Sequence, residues 1–333
     1  MNDHTLVSLL LVVRNESTSV RQAILSLSKQ TISQDQTEII VVDGLSTDGT
    51  DKVVKRILEE LCQKGWKCRF LENLEKTLAA GWNLGIRESI GDFICRIDAH
   101  ATIEPDYIEK GICLLNSPER KKIVAVGGIL KYTKNKTFFG NMITDLLGSR
   151  FGVGNSPFRI PPKKIIETDT AVFAVYRRKI LLETGGFNEN LKRNQDNEFH
   201  RRLADKGWKF LTDPDMRATY QPRSTFLKLM KQGFENGYWI VFSGGSLRHF
   251  IPFYFVLYLF IYLSIFIFIP KSIVIIALIP LMLYFFLGIG FAIKDGKSFF
   301  ARFGLPVFYF YFHLAYGFGT LYGLICRVTG KKL

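Results

Sequence analysis

Cysteine is scarce in this chain and follows no pattern. The five present, Cys62, Cys68, Cys95, Cys113 and Cys326, include no C-x-x-C pair, and no histidine cluster accompanies them. That removes the usual spacings of a thiolate metal site or a redox pair and leaves free thiols as the expectation. A basic leader is also missing. The first residues carry an acid and a histidine, and the apolar run behind them is too short for a signal peptide. The catalytic part is therefore expected to stay on the cytoplasmic side. Charge itself is missing from one stretch: between Phe250 and Ile293 only Lys271 is charged.

What is present divides accordingly. Residues 1–249 read as an ordinary soluble sequence, and the composition shift at 250 is the first boundary. The formal net charge is +14, carried largely by the soluble part in clusters such as Arg120-Lys121-Lys122 and residues 131–136. Such a surplus fits nucleic acid, an anionic membrane surface or a phosphorylated substrate. No reading helix or nucleic-acid motif is visible, so a nucleic-acid partner is not expected. Neighbouring apolar segments favour membrane lipid or a phosphorylated substrate.

Apolar runs at 6–13, 38–42, 68–72 and 92–97 read as strands. Helical spacing at 19–29, 51–62 and 77–89 separates them. This alternation predicts parallel βαβ units and an α/β sandwich. The strands end on polar residues: Arg14-Asn15-Glu16, Asp43 and Asp98. Ligands of open α/β sheets bind beyond the carboxyl ends of the strands. Further along, 124–131 and 170–176 read as strands, 140–155 as a glycine-rich loop with some helix, and 194–206 as a helix. Residues 224–237 are amphipathic, suited to a membrane interface or to packing on the domain.

Two runs, 250–269 and 273–293, have the length needed to cross a bilayer core. A third, 303–325, contains His313. Lys294, Lys297 and Arg302 cluster before it, which places that loop and residues 1–249 in the cytoplasm by the positive-inside rule. A full third span would put Arg327, Lys331 and Lys332 outside, against that rule, so the third run is either re-entrant, interfacial or an exception. The expected organisation is a cytoplasmic domain at 1–223, an interface helix and linker at 224–249, and a hydrophobic region at 250–333, in a multi-pass inner-membrane protein.

Three groups of residues can carry chemistry. Asp98 and His100 lie two apart, so both can project from one side of an extended segment and hold a divalent cation together with substrate phosphates. A loop aspartate capping the next helix is the alternative. Asp43 ends a buried strand and suits a ligand, whereas Ser46 and Asp48 suit turn and cap chemistry. Asp196 and Glu198 open a helix, as caps or, for an ionised Asp196, as a general base.

Taken in order, Val12-Val13-Arg14-Asn15-Glu16, the segment from Asp43 to Thr50, Asn73…Lys76…Ala79-Ala80…Asn83-Leu84-Gly85-Ile86 and Asp98-Ala99-His100 resemble the family 2 inverting glycosyltransferases of GT-A fold. Gly185-Gly186-Phe187-Asn188-Glu189 and Gln195-Asp196-Asn197-Glu198 resemble that family's acceptor-side signature. Phe151-Gly152-Val153-Gly154-Asn155 and Tyr220-Gln221-Pro222-Arg223-Ser224 resemble the subgroup of succinoglycan-biosynthesis glucosyltransferases. The resemblance spans about residues 6–237.

It implies a GT-A nucleotide-sugar-binding αβα sandwich with C-terminal transmembrane or interfacial helices, in a bacterial-type enzyme of cell-surface polysaccharide biosynthesis. The donor, preferably a UDP-sugar, would be met by Arg14, Glu16, Asp43, Lys76 and Asp98. Mg²⁺ or Mn²⁺ would sit at Asp98 and His100, Asp196 would be the base, and Gln195, Glu198, Arg223 and Gln232 would attend the acceptor or diphosphate. The acceptor would be a saccharide on a polyprenyl diphosphate. Two positions depart from the family pattern: Asp-Ala-His replaces Asp-X-Asp, and Gln195 replaces a glutamate, which leaves Asp196 fewer acidic neighbours and easier to ionise. Other readings are a polyprenyl-phosphate sugar transferase and an inactive membrane scaffold. A processive synthase fits poorly, because Gln221-Pro222-Arg223-Ser224 does not supply Q-x-x-R-W.

Overall fold

The computed structural model describes residues 6–133, 137–222, 225–268 and 270–330. The elements run β1 (Val7–Val13), α1 (Val20–Leu27), β2 (Thr37–Asp43), α2 (Thr50–Cys62), β3 (Lys67–Glu72), α3 (Leu78–Glu88), β4 (Phe93–Asp98), β5 (Ala101–Ile103), α4 (Tyr107–Asn116) and β6 (Ile123–Tyr132). They continue with α5 (Phe138–Leu147), α6 (Arg150–Val153), β7 (Ile166–Thr168), β8 (Val175–Arg177), α7 (Arg178–Thr184), α8 (Gln195–Asp205) and β9 (Lys209–Tyr220). Four helices close the chain: α9 (Phe226–Ser243), α10 (Ile251–Phe268), α11 (Lys271–Asp295) and α12 (Phe299–Thr329). The chain forms two compact units. Residues 1–133 and 157–221 make the first, 134–156 and 222–333 the second.

The first unit is built on one sheet of order β3-β2-β1-β4-β8-β6-β9-β5, with β7 beside β9. Strands β3, β2, β1 and β4 are parallel, as the βαβ pattern predicts. Strand β8 runs against both β4 and β6, so the sheet is mixed beyond β4. The period-2 alternation of β1 feeds two cores. Leu9, Leu11 and Val13 face α1, α2 and α4, while Leu10 and Val12 face α3, α7 and α8. Helix α3 approaches β1 closely: a Cβ on Gly81 would lie 2.5 Å from Val12 Cγ1, and one on Gly85 2.2 Å from Leu10 Cδ1. These glycines explain the Ala-Ala…Asn-Leu-Gly spacing as a packing requirement.

The sheet departs from expectation in two places. The strand predicted at 170–176 is extended only over β8, because Phe173 sits in the left-handed region (φ 45°), which no strand can continue through. Strand β9 carries Pro214 and was not expected. Its pairing with β6 skips from Thr212 to Arg217, so the proline falls in a bulge where no ladder donor is needed.

In the second unit the segment 140–155 is more helical than expected, forming α5 and α6. Thr137 caps α5 by accepting from Gly140 N at 3.1 Å. Two stretches are long and apolar enough to cross a membrane: Leu247–Ser264, which runs from the turn before α10 into that helix, and Ile273–Asp295 in α11. Helix α12 differs. One face, including Leu305, Tyr309, Phe312 and Cys326, is buried, while Phe303 and Val328 on the other are open. It packs on α9 through glycines: a Cβ on Gly237 would stand 2.0 Å from Tyr316 O, and one on Gly319 2.0 Å from Phe234 O. Gly233, Gly237, Gly319 and Gly323 form two small-xxx-small rows that let the backbones touch. Arg327 Nη1 donates to Val241 O near the end of α9 (3.1 Å).

Gly319→Val should therefore force α9 and α12 apart. The expected cost is about 2 kcal/mol or more, in the range of overpacked cores. It would be read as a lower apparent unfolding temperature in detergent; an unchanged midpoint would contradict the backbone contact.

Candidate active site

Strands β1, β2 and β4 finish together. Val13 pairs with Asp43 and Val12 with Asp98, so the two acids flank the end of β1. Beyond it the chain turns at Asn15, which is left-handed (φ 56°). This turn is laced to the segment after β2. Asn15 N donates to Ser46 Oγ (2.9 Å), Thr47 N donates to Asn15 Oδ1 (2.9 Å), and Glu16 N donates to Thr50 Oγ1 (2.8 Å). Asp48 takes Ser17 N at 3.1 Å and both Thr50 N and Thr50 Oγ1, at 3.0 and 2.5 Å. The Thr50 bond chiefly, with Ser17, holds its carboxyl well below the usual range against the opposing effect of burial. Asp48 thus does turn chemistry.

Asp43 is buried and accepts Ser46 N (2.9 Å) and Ser46 Oγ (2.5 Å), one bond on each oxygen. A carboxylate has capacity for more. Arg14 is exposed and reaches Lys76 O at 3.5 Å. Lys76 is itself left-handed (φ 58°), a conformation that costs a non-glycine residue energy and is typical of ligand-facing turns.

Glu16 and His100 meet across these loops, with Oε1 3.4 Å from Nδ1. Burial raises the Glu16 pKa, but hydrogen bonds from His100 and Ser19 outweigh it and the net shift is downward. The His100 ring stands edge-on to Tyr220 at 4.9 Å. Asp98 shifts the other way: burial raises its pKa beyond what His100 and Arg96 lower. Among the described residues no group of three or more His, Cys, Asp or Glu could hold a metal alone. The donor set Asp98 and His100, with Glu16 behind the imidazole, fits a cation that draws its other ligands from substrate phosphates.

Asp196 sits in the first turn of α8, after left-handed Asn194 (φ 57°). Its Oδ1 lies 2.6 Å from Nη2 of Arg96, a buried residue of β4. Arg96 stacks over Trp82 (3.6 Å) and Phe187 (4.9 Å). Phe187 is in turn fixed by Asn83, which donates to Phe187 O (2.8 Å) and accepts Phe187 N (2.7 Å). A Cβ on Gly186 would stand 2.4 Å from Asn83 Oδ1, so the second glycine of the Gly-Gly-Phe motif makes room for that clamp.

The remaining expected residues are placed differently. Gln195 is buried and donates to Leu191 O (2.9 Å). Glu198 pairs with Arg202 at 2.6 Å, and Arg202 also donates to Thr184 O and Gly186 O. Both therefore tie α8 to the preceding loop. Gln232 lies on α9 of the second unit, and Arg223 lies outside the described residues.

Three residues escaped the sequence reading. His200 is fully buried, with Nδ1 2.8 Å from Thr170 Oγ1 and Nε2 2.8 Å from the Tyr176 hydroxyl. Burial pushes its pKa down to about 4, and nearby Asp196 only partly opposes this. Burial likewise raises the Tyr176 hydroxyl. Arg96 itself was the third. A charge inside Phe-Ile-Cys-Arg-Ile-Asp was the available signal.

Comparison with known proteins agrees with this architecture. Residues 8–185, more than half of the chain, match the model of glycosyl transferase family 2. A Methanococcus voltae protein named dolichyl N-acetyl-alpha-D-glucosaminyl phosphate 3-beta-D-2,3-diacetamido-2,3-dideoxy-beta-D-glucuronosyltransferase is 28% identical over 96% of this chain and 97% of its own. The succinoglycan biosynthesis protein ExoA of Rhizobium meliloti (strain 1021) is 26% identical, over 67% of this chain and 65% of its own. Among solved structures, the mannosyltransferase PcManGT from Pyrobaculum calidifontis, in complex with GDP-Man and Mn²⁺, aligns with a TM-score of 0.54 at 18% identity, over 99% of this chain and 77% of that one. S. aureus TarS 1–349 aligns with a TM-score of 0.50 at 15% identity, over 70% and 65%. At such identities the likeness shows the fold, which is GT-A-like.

The buried His200 sets a pH dependence. It is neutral in the folded protein, so the unfolded chain takes up its proton first as pH falls. The stability it supports is complete above about pH 6.5 and is lost progressively towards about pH 4, by about 3 kcal/mol in all. The carboxylates with lowered pKa add their losses as pH falls through about 4.5 and below, and the raised Asp98 and Asp145 act in the opposite sense, so the His200 contribution is read as the difference between wild type and His200→Gln. The apparent unfolding midpoint of wild type should fall between about pH 7 and 5, and His200→Gln should flatten that slope. Equal slopes in the two proteins would contradict the assignment.

Proposed function

The chain belongs to glycosyl transferase family 2 and is a glycosyltransferase, and on that premise we propose that it moves a sugar from a nucleoside diphosphate donor, preferentially UDP-linked, to a saccharide carried on a lipid, with inversion at the anomeric carbon. The observation that carries this reading is the position of Asp196. Its carboxylate meets Arg96, which shares one face of β4 with Asp98 two residues later. In this reading the proton acceptor on α8 and the phosphate-side acid of β4 would work side by side, linked through Arg96.

In this reading Asp43, Arg14, Glu16 and Lys76 receive the nucleotide. Asp98 and His100 would hold a divalent cation, which would supply positive charge to offset that on the diphosphate. Asp196 takes the proton of an acceptor hydroxyl. As that O–H bond breaks, the oxygen forms a bond to the anomeric carbon and the bond to the diphosphate oxygen breaks on the opposite face. The nucleoside diphosphate leaves with the electron pair. The lipid carrier is supported by the Methanococcus voltae relative, whose name specifies a dolichyl phosphate sugar, and by the two apolar helices. Residues 1–223 would be the cytoplasmic catalytic domain, 224–249 the interface helix and linker, and 250–333 the multi-pass anchor.

Detergent-purified full-length protein, screened with UDP- and GDP-sugars and a lipid extract, should turn over one donor. EDTA should stop the reaction and Mg²⁺ or Mn²⁺ should restore it. Asp196→Asn should lower turnover by about 10³-fold while donor affinity stays within about threefold. Wild-type turnover in Asp196→Asn would contradict the base and favour a phosphate nucleophile, which needs none.

A further inference from the structure

Asp196 opens a helix from a left-handed residue, and its side chain is 37% exposed. Its N-cap, Asn194, makes no side-chain cap hydrogen bond to the first turn. Its Oδ1, however, is buried against Arg96 at 2.6 Å, as a charge contact and without hydrogen-bond geometry, so the exposed share of the side chain lies away from that oxygen. Arg96 is only 5% exposed, and its Nε and Nη1 are buried with no hydrogen-bond partner among the described residues. Leaving such donors unpaired is costly. A core position on β4 asks for an apolar residue, and its neighbours Ile94, Cys95 and Ile97 are apolar and buried. The charge therefore serves something other than packing.

We infer that Arg96 is the positioning residue for Asp196: a rigid cation that pins one carboxylate oxygen and so presents the other to the acceptor hydroxyl. This rests on Asp196 being the base. Rigidity comes from three sources. The β4 backbone is paired on both sides, to β1 and β8. The guanidinium is stacked over Trp82 and near Phe187. The ring of Phe187 is held by Asn83 through both its N–H and its carbonyl. The Asn-Leu-Gly and Gly-Gly-Phe segments thereby act through Arg96 on the orientation of the base.

The test uses full-length protein in detergent with the donor found in the screen, comparing Arg96→Met, Arg96→Lys, Asp196→Asn and Arg96→Met/Asp196→Asn. Met keeps the length and apolar bulk of the side chain and removes the unpaired donors, so the fold should hold. For Arg96→Met, kcat should fall about 10²-fold, the loss expected for a misplaced catalytic group, with donor KM within about threefold. Arg96→Lys should recover about tenfold of that loss, because a cation again faces Oδ1. In the Asp196→Asn background, Arg96→Met should cost nothing more, since its effect passes through the missing carboxylate. A kcat for Arg96→Met near wild type, or a further loss of about tenfold in the double variant, would overturn the inference. If Arg96→Met fails to fold, Arg96→Lys decides: kcat lowered at constant KM supports positioning, and KM raised at constant kcat overturns it. Activity in Asp196→Asn removes the underlying base assignment, whereas an inactive Asp196→Asn beside an active Arg96→Met removes only the role of Arg96.

Discussion

A guanidinium buried in an apolar layer has to find a carboxylate, and that need organises the first unit around Arg96. Solvation of the cation is replaced by two aromatic faces and one acid. Desolvation disfavours its charge, but Asp196, Tyr176 and Asp98 more than compensate, so it stays cationic. Because β4 is a central strand, the acid that serves it must come from the loop-to-helix junction lying over that face. This is where α8 begins. The same strand carries Asp98 two residues on, so one pleat fixes both acids.

The loops follow from the same geometry. Parallel strands of similar length deliver Arg14, Asp43 and Asp98 to one rim, and local hydrogen bonds shape the segments that leave it. Asp48 spends its oxygens on Ser17 and Thr50, which frees neither for a ligand role but holds the β1 and β2 turns against each other. Left-handed Asn15, Leu45, Lys76 and Asn194 mark junctions where the chain turns sharply next to polar side chains. The second unit solves another problem. Glycine rows let α9 and α12 meet backbone to backbone.

Much of this was legible in the sequence. Runs of Leu, Ile and Val bounded by Asp and Gly gave the parallel strands, because a strand covered on both faces has no polar alternation to obscure it. Asp43, Asp98 and Asp196 stood out as acids at element ends. Strand β9 was hidden because Pro214 falls in a bulge, a tertiary accommodation with no local signature. Phe173 broke a predicted strand because an aromatic residue seldom takes a positive φ. The Arg96–Asp196 pair joins residues a hundred positions apart, so spacing rules for helices and strands could not reveal it. Gln195 and Glu198 entered with the Gln-Asp-Asn-Glu segment that resembles the family's acceptor-side signature; in the fold Gln195 donates to Leu191 O and Glu198 pairs with Arg202.

The central claim is a single displacement with Asp196 as base, and the configuration of the product tests it most directly. Transfer from an α-linked nucleotide sugar, followed by proton NMR of the new anomeric centre, should give a β-linked product from the first turnover. An α-linked product would require two displacements or a front-face reaction, and would contradict both the mechanism and the role given to Asp196.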